Sequence, residues 1–178
     1  MLRVNRILCN ILATALEFGT IASGANAGEV IQVLSTTKTD KFSINSTLTF
    51  TDITGLSVAI TPASASNKIF ITCDLTGGAN VARVAFRLMR DSTAISIGDS
   101  AGSRQRATVW ATGAASNDHL NASFNFLDSP NTTSSITYKL QMICEDNATI
   151  NSSHGDADTN AAPMTRGTST ITVMEVKG

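Results

Sequence analysis

Apolar and polar residues alternate along most of this chain. Between His119 and Cys144, Leu120, Ala122, Phe124 and Phe126 alternate with Asn121, Ser123 and Asn125. Further on, Ile136, Tyr138, Leu140 and Met142 alternate with Thr137, Lys139 and Gln141. Successive side chains of a strand point to opposite faces, so each run predicts a strand with one apolar and one wet face. The intervening Asp128–Ser134 is rich in turn formers, and its Pro130 cannot extend a ladder. The stretch reads as two strands of an antiparallel sheet joined by a surface loop.

The same texture starts at Glu29. Val30, Ile31, Val33 and Leu34 open it, and Lys38–Lys41 reads as a charged turn. Leu48 and Phe50 precede an expected turn at Asp52–Gly55. Leu56, Val58 and Ile60 alternate until Pro62, and Ile69, Ile71, Cys73 and Leu75 alternate until Gly77-Gly78. Val84, Phe86 and Leu88 follow, then a turn at Asp91-Ser92, a short strand over Thr93–Ile97 and a loop over Gly98–Ser103. Ala107, Val109 and Ala111 make a strand that contains the single tryptophan, Trp110. Thr149–Asn151 reads as a stub of strand, residues 152–167 as a loop, and Ser169–Val176 as the closing strand. About ten short strands at regular spacing with no second helical segment predict an all-β fold, a jelly-roll or Greek-key β-sandwich over residues 29–178.

Residues 1–28 have a different period. Val4, Ile7, Leu8, Ile11, Leu12, Ala15 and Leu16 recur at helical spacing, which predicts an amphipathic helix of about four turns. A secretory signal is one reading, since Arg3 and Arg6 precede the apolar run and Ala25-Asn26-Ala27 resembles a cleavage site; Asn10, Thr14 and Glu17 interrupt it. A transmembrane span is excluded by length, because spanning needs about twenty apolar residues. The favoured reading is an anchor whose stripe, those seven residues, docks on a partner or on copies of itself, since so short a helix is marginal alone. Gly19–Gly28, rich in Gly, Ala and Ser, then serves as a flexible joint.

Composition narrows the functional classes. Only 15% of residues are charged, against roughly a quarter on average, and Ser, Thr and Asn carry the polar surface instead. A net charge of −1 gives no handle for nucleic acid or an anionic membrane, and little self-repulsion to oppose assembly. Cys9, Cys73 and Cys144 are too widely spaced for a metal motif, and Cys73 and Cys144 sit in strand-like runs as small buried hydrophobes.

Candidate chemistry is sparse. Neither His119 nor His154 has a Ser or Cys in a nucleophile context nearby, and G-x-S-x-G is absent, which argues against a triad. His154–Asn160 places oxygen ligands at alternate positions like the start of a calcium loop. It lacks the central glycine, with Ala161 there, and the closing glutamate, with Gly167 in its place, so a solvated loop is expected and no metal or cofactor is implied. Arg83, Arg87 and Arg90 lie close together, and Arg104 and Arg106 would share one strand face. They suit either an acidic surface glycan or pairing with neighbouring carboxylates or an adjacent subunit. Asn45, Asn121, Asn131, Asn147 and Asn151 fit N-x-[ST], which this composition produces by chance.

Several phrases resemble those of bacteriophage virion proteins: G-E-V-I-Q-V-L-S-T-T-K-T-D-K-F-S (28–43), T-F-T-D-I-T-G-L-S-V-A-I-T-P-A-S-A-S-N-K-I-F-I (49–71), F-R-L-M-R-D-S-T (86–93), G-D-S-A-G-S-R (98–104), L-D-S-P-N-T-T-S-S-I-T-Y-K-L-Q (127–141) and S-T-I-T-V-M-E-V (169–176). The resemblance spans roughly residues 28–178, and the order of the phrases is more specific than any one of them. It implies fibre tips, appendage heads or capsid decorations, with trimeric jelly rolls of the tumour-necrosis-factor and complement-C1q type. R-V-N-R-I (3–7) is similar to the opening of some of these proteins, whereas I-L-C-N-I-L-A-T-A-L-E-F replaces the Pro- and Gly-rich stretch expected next.

The resulting expectation is a non-enzymatic virion protein, a homotrimer that partners other virion proteins through residues 1–28 and binds no nucleic acid. Within that class, capsid decoration or cement is favoured, since no long shaft is visible. The alternative is a receptor-binding tip whose loops 98–104, 112–119 and 152–167 meet a host surface glycan.

Overall fold

The computed structural model describes residues 27–80, 83–112, 118–153, 160, 162 and 164–178. The seven anchor positions from Val4 to Leu16, and the helix predicted for them, lie outside the described residues.

Among the described residues nine strands run in order: β1 Val30–Lys38, β2 Phe42–Ile60, β3 Lys68–Ala79, β4 Arg83–Arg90, β5 Thr93–Ile95, β6 Val109–Thr112, β7 Asp118–Asp128, β8 Ile136–Ile150 and β9 Ser169–Val176. There is no helix among the described residues, and every ladder is antiparallel. One sheet has the order β1-β9-β3-β7. The other has the order β2-β8-β4-β6, with β5 added to β4 by a two-residue turn at Asp91-Ser92. Setting β5 aside, the chain passes between sheets so that two four-stranded layers form, which is the jelly-roll arrangement. The expected all-β sandwich is therefore observed.

Alternation explains the layering. Ile69, Ile71, Cys73 and Leu75 of β3, Ile171 and Val173 of β9, and Leu120 and Ala122 of β7 face inward from the first sheet. Leu56, Val58 and Ile60 of β2, Ile136, Tyr138, Leu140 and Met142 of β8, and Val84, Phe86 and Leu88 of β4 meet them from the second. Each Val, Leu, Ile, Phe or Met side chain among them, fully buried, contributes about 1.5–3 kcal/mol.

The two sheets join at one corner, where Gly77–Ala79 of β3 pairs with Ala148–Ile150 of β8. Glycine is required at 77 because a Cβ would run into the Thr149 carbonyl. Near this corner Asn151, with φ +63°, donates through Nδ2 to the carbonyls of Lys38 (2.8 Å) and Asp40 (3.0 Å) and accepts from Ser169 Oγ (2.7 Å). At the opposite end Asp128 of β7 accepts from Arg90 Nη1 at 2.9 Å on each oxygen and from the Tyr138 hydroxyl at 2.6 Å. That cluster ties the first sheet to the second.

Four local expectations change. The strands β7 and β8 are not neighbours: β7 pairs with β3, and β8 with β2 and β4. The 129–135 connection crosses from one sheet to the other, and the Asp128–Tyr138 bond closes that crossing. Asp52–Gly55 is no turn, because β2 continues through it with a register shift between Asp52 and Ser57. Gly55, at φ +82°, absorbs the bulge that leaves both flanking segments on β8. Thr149 and Ile150 form the end of β8 rather than a separate stub. Arg104 and Arg106 precede β6 in an irregular connection, so they share no strand face.

Candidate functional site

The two outer faces differ in chemistry. On the second sheet, Lys139 Nζ lies 2.6 Å from Asp52 Oδ2, and Gln141 Nε2 donates to Asp52 Oδ1 at 2.7 Å. Gln141 Oε1 in turn accepts from Arg87 Nη2 at 2.8 Å, and the Arg87 guanidinium stacks 3.9 Å above the Phe50 ring. The Lys139 ammonium holds the Asp52 carboxyl below the usual carboxylate range; burial opposes it, and the Gln141 amide assists it. This face is charged and largely satisfied by its own neighbours.

The first sheet presents a different outer surface. Register places Val33 beside Met174, Met174 beside Phe70, and Phe70 beside Leu127. These four residues form an apolar row across all four strands, with Val33 and Leu127 the more exposed. Val30 and Ile31, also exposed, lie next to it on β1. The following row is Ser35, Thr172, Thr72 and Asn125, and the one after it Thr37, Thr170, Asp74 and Ser123. Across these three rows Asp74 is the one formal charge. The apolar row lies at the end where the N-terminal segment joins, since Gly28 N donates to Lys177 O (2.8 Å) and Lys177 N to Glu29 O (2.9 Å). A contiguous apolar patch rimmed by polar side chains marks an interaction surface.

A second feature sits at the edge of the charged sheet. Trp110 of β6 is 74% exposed, and its cross-strand partner is the small Ala85. With Arg83, Arg104, Gln105, Ala107 and Thr112 it lines a pocket of about 490 Å³. Sequence reasoning placed Trp110 in its strand without drawing its exposure; the signal was its position out of phase with Val109 and Ala111.

The other candidates separate. Arg90 is committed to the Asp128–Tyr138 cluster and Arg87 to Gln141 and Phe50, while Arg106 Nε donates to Gly98 O at 2.6 Å. Arg83 meets Glu145 at 3.2 Å, both ends well exposed. His119 lies on β7, exposed, and lines a shallow cleft of about 240 Å³ with Ser152, Ser153 and Arg166, where Ser153 Oγ accepts from Thr165 N at 3.1 Å. His154 and the oxygen-rich stretch after it lie outside the described residues up to Asn160. Among the described residues no group of three His, Cys, Asp or Glu is placed to hold a metal. Cys73 and Cys144 are buried free thiols, and burial raises Cys73 far above the ordinary thiol range, which makes it inert. No helix among the described residues is long and apolar enough to cross a membrane.

No protein family and no curated protein matches the chain. Among solved structures it is similar to the VP2 subviral particle of infectious bursal disease virus, with a TM-score of 0.48 and 10% identity over 86% of this chain and 34% of that one. It is similar also to T=1 particles derived from the same virus, with a TM-score of 0.46 and 14% identity over 89% of this chain and 39% of that one. The chain thus spans little more than a third of the length of these structures, and a likeness at this level assigns neither family nor function.

Proposed function

We propose that the protein is a non-enzymatic structural component of a bacteriophage virion. In this reading it is a homotrimeric jelly roll, held on the particle through residues 1–28, that decorates or cements the capsid. The single observation that carries assembly is the Val33–Met174–Phe70–Leu127 row on an outer sheet face where Lys68 and Asp74 are the charged positions of β3. About a threefold axis the residues nearest the axis meet their own copies, so a low density of charge there lowers the electrostatic cost while the apolar row supplies burial. The phage-like phrases across residues 28–178 support the virion setting. The N-terminal segment joins beside the same row, which suits an anchor leaving the trimer on one side.

Image reconstruction of the intact particle tests this. Copies in threes across the capsid shell are expected, and absence from the particle refutes the reading. Deleting residues 1–28 should release a folded protein from particles; persistent attachment refutes the anchor.

A second reading, the receptor-binding tip of an appendage, is favoured by the exposed Trp110 pocket. Copies confined to the tail would establish it over decoration.

A further inference from the structure

Five arginines lie on β4 or in the connection before β6, and three are committed. Arg87 is held by Gln141 and Phe50, Arg90 by Asp128, and Arg106 by the Gly98 carbonyl. Of the other two, Arg83 has one long contact to Glu145 between exposed side chains, an arrangement worth little in water. Arg104 has no carboxylate partner among the described residues. Both less committed guanidiniums line the same pocket, and so does the one tryptophan of the chain.

We propose that this pocket binds an acidic saccharide through a carboxylated sugar of the uronic or sialic acid class. Its volume of about 490 Å³ lies within the range of small-ligand sites. Ala85, Ala107 and Ala111 are small, which leaves the indole face open as a platform for the apolar side of a sugar ring. Guanidinium forks match a carboxylate in two parallel hydrogen bonds, and Arg83 and Arg104 supply two forks with no carboxylate among the described residues that line the pocket. Gln105 and Thr112 add an amide and a hydroxyl for ring hydroxyls. A neutral sugar would leave both arginines unused, and a simple anion would leave the indole bare. The combination selects a ligand that is both a ring and an acid.

The single tryptophan makes the test direct, because all indole emission of the full chain reports this pocket. Titration with oligogalacturonate and with sialyllactose should change Trp110 emission saturably for at least one of them, while maltooligosaccharide of matched size should not. Calorimetry should show the affinity falling by about tenfold or more in Arg104→Ala, the effect of losing a charged bidentate contact. Trp110→Ala should abolish binding with an unchanged circular dichroism spectrum and unchanged oligomer mass.

No saturable response to either acid overturns the assignment, as does an equal response to the neutral sugar. A Trp110→Ala protein that loses its oligomeric state also overturns it, because the indole would then be a subunit contact. Assembly and sugar binding fail separately: an oligomer indifferent to both acids refutes the pocket alone, and a monomer that binds one refutes the assembly alone.

Discussion

The outer faces of the two sheets are built from the same alternating strands, yet they solve the problem of meeting water differently. On the β2-β8-β4 side, Asp52, Lys139, Gln141, Arg87 and Phe50 form one connected chain of contacts. Every long charged side chain there has a neighbour, and the carbon stems of Lys139 and Arg87 cover apolar surface. On the β1-β9-β3-β7 side, most polar positions are short Ser, Thr and Asn side chains, with Lys68 and Asp74 the charged exceptions on β3, and the short ones hydrogen-bond locally, as Ser35 and Thr172 do (2.9 Å) and Thr37 and Thr170 (3.0 Å). The Ser, Thr and Asn side chains that border one side of the Val33–Met174–Phe70–Leu127 row are too short to cover it, and Val33 and Leu127 at its two ends stay exposed. A face that screens its own apolar atoms is finished as a surface, and one that does not is suited to being covered.

Substitution on each face breaks or sharpens this contrast. The largest effect expected is on mass. Phe70→Asp places a charge in the apolar row and should reduce the assembled full chain to single chains of 18.6 kDa by light scattering. Ser57→Asp, beside Lys139 on the other face, should leave the mass unchanged. If both variants assemble like the wild type, the contrast is not about assembly.

Stability should respond elsewhere, which separates loss of fold from loss of assembly. Arg90→Ala strands the Asp128 carboxylate in the interior and should cost about 3–5 kcal/mol in urea unfolding. The triple substitution Arg90→Met, Asp128→Leu and Tyr138→Phe, which leaves no buried polar group without a partner in the cluster, should recover most of that. Next in size is Gly77→Ala, which forces a methyl against the Thr149 carbonyl where the sheets join. It should cost about 1–3 kcal/mol. The variants at Arg90 and Gly77 lie away from the apolar row, so any folded fraction should keep the wild-type mass.

The smallest effect concerns pH. Asp52 has a folded pKa below its unfolded value, held there by Lys139. Its stabilisation is therefore present above about pH 4 and lost as pH falls through the folded value. The pair is half exposed, so the gap between wild type and Asp52→Asn should be under about 1 kcal/mol at neutral pH. It should close on acidification. A gap that widens in acid contradicts the pairing.

The sandwich was legible because period two survives in nearly every strand: Ile69, Ile71 and Cys73, or Ile171 and Val173, announce their inner face without any knowledge of neighbours. The neighbours themselves were not legible. A hairpin between β7 and β8 and a sheet crossing have the same loop chemistry, and what distinguishes them is the partners the strands take, β3 for β7 and β2 and β4 for β8. Gly55 was read as a turn because the φ it permits serves a turn and a bulge equally. The apolar row was half visible, since Phe70, Met174 and Leu127 each fall at an outward position of a well-phased strand. Their alignment depends on register between strands distant in sequence, which alternation does not encode. Trp110 shows the same limit: its outward phase was readable, but the arginines that meet it arrive from β4 and from an irregular connection. The anchor positions Val4 to Leu16 lie outside the described residues, and deletion of residues 1–28 remains their test.

Hydroxyl-radical footprinting of the assembled full chain tests the central claim most directly, because it reads both faces in one sample. Met174 should be protected relative to the Phe70→Asp protein, in which it becomes reactive, while Trp110 labels equally in both. Met174 labelling as fast in the wild type as in that variant would contradict the account.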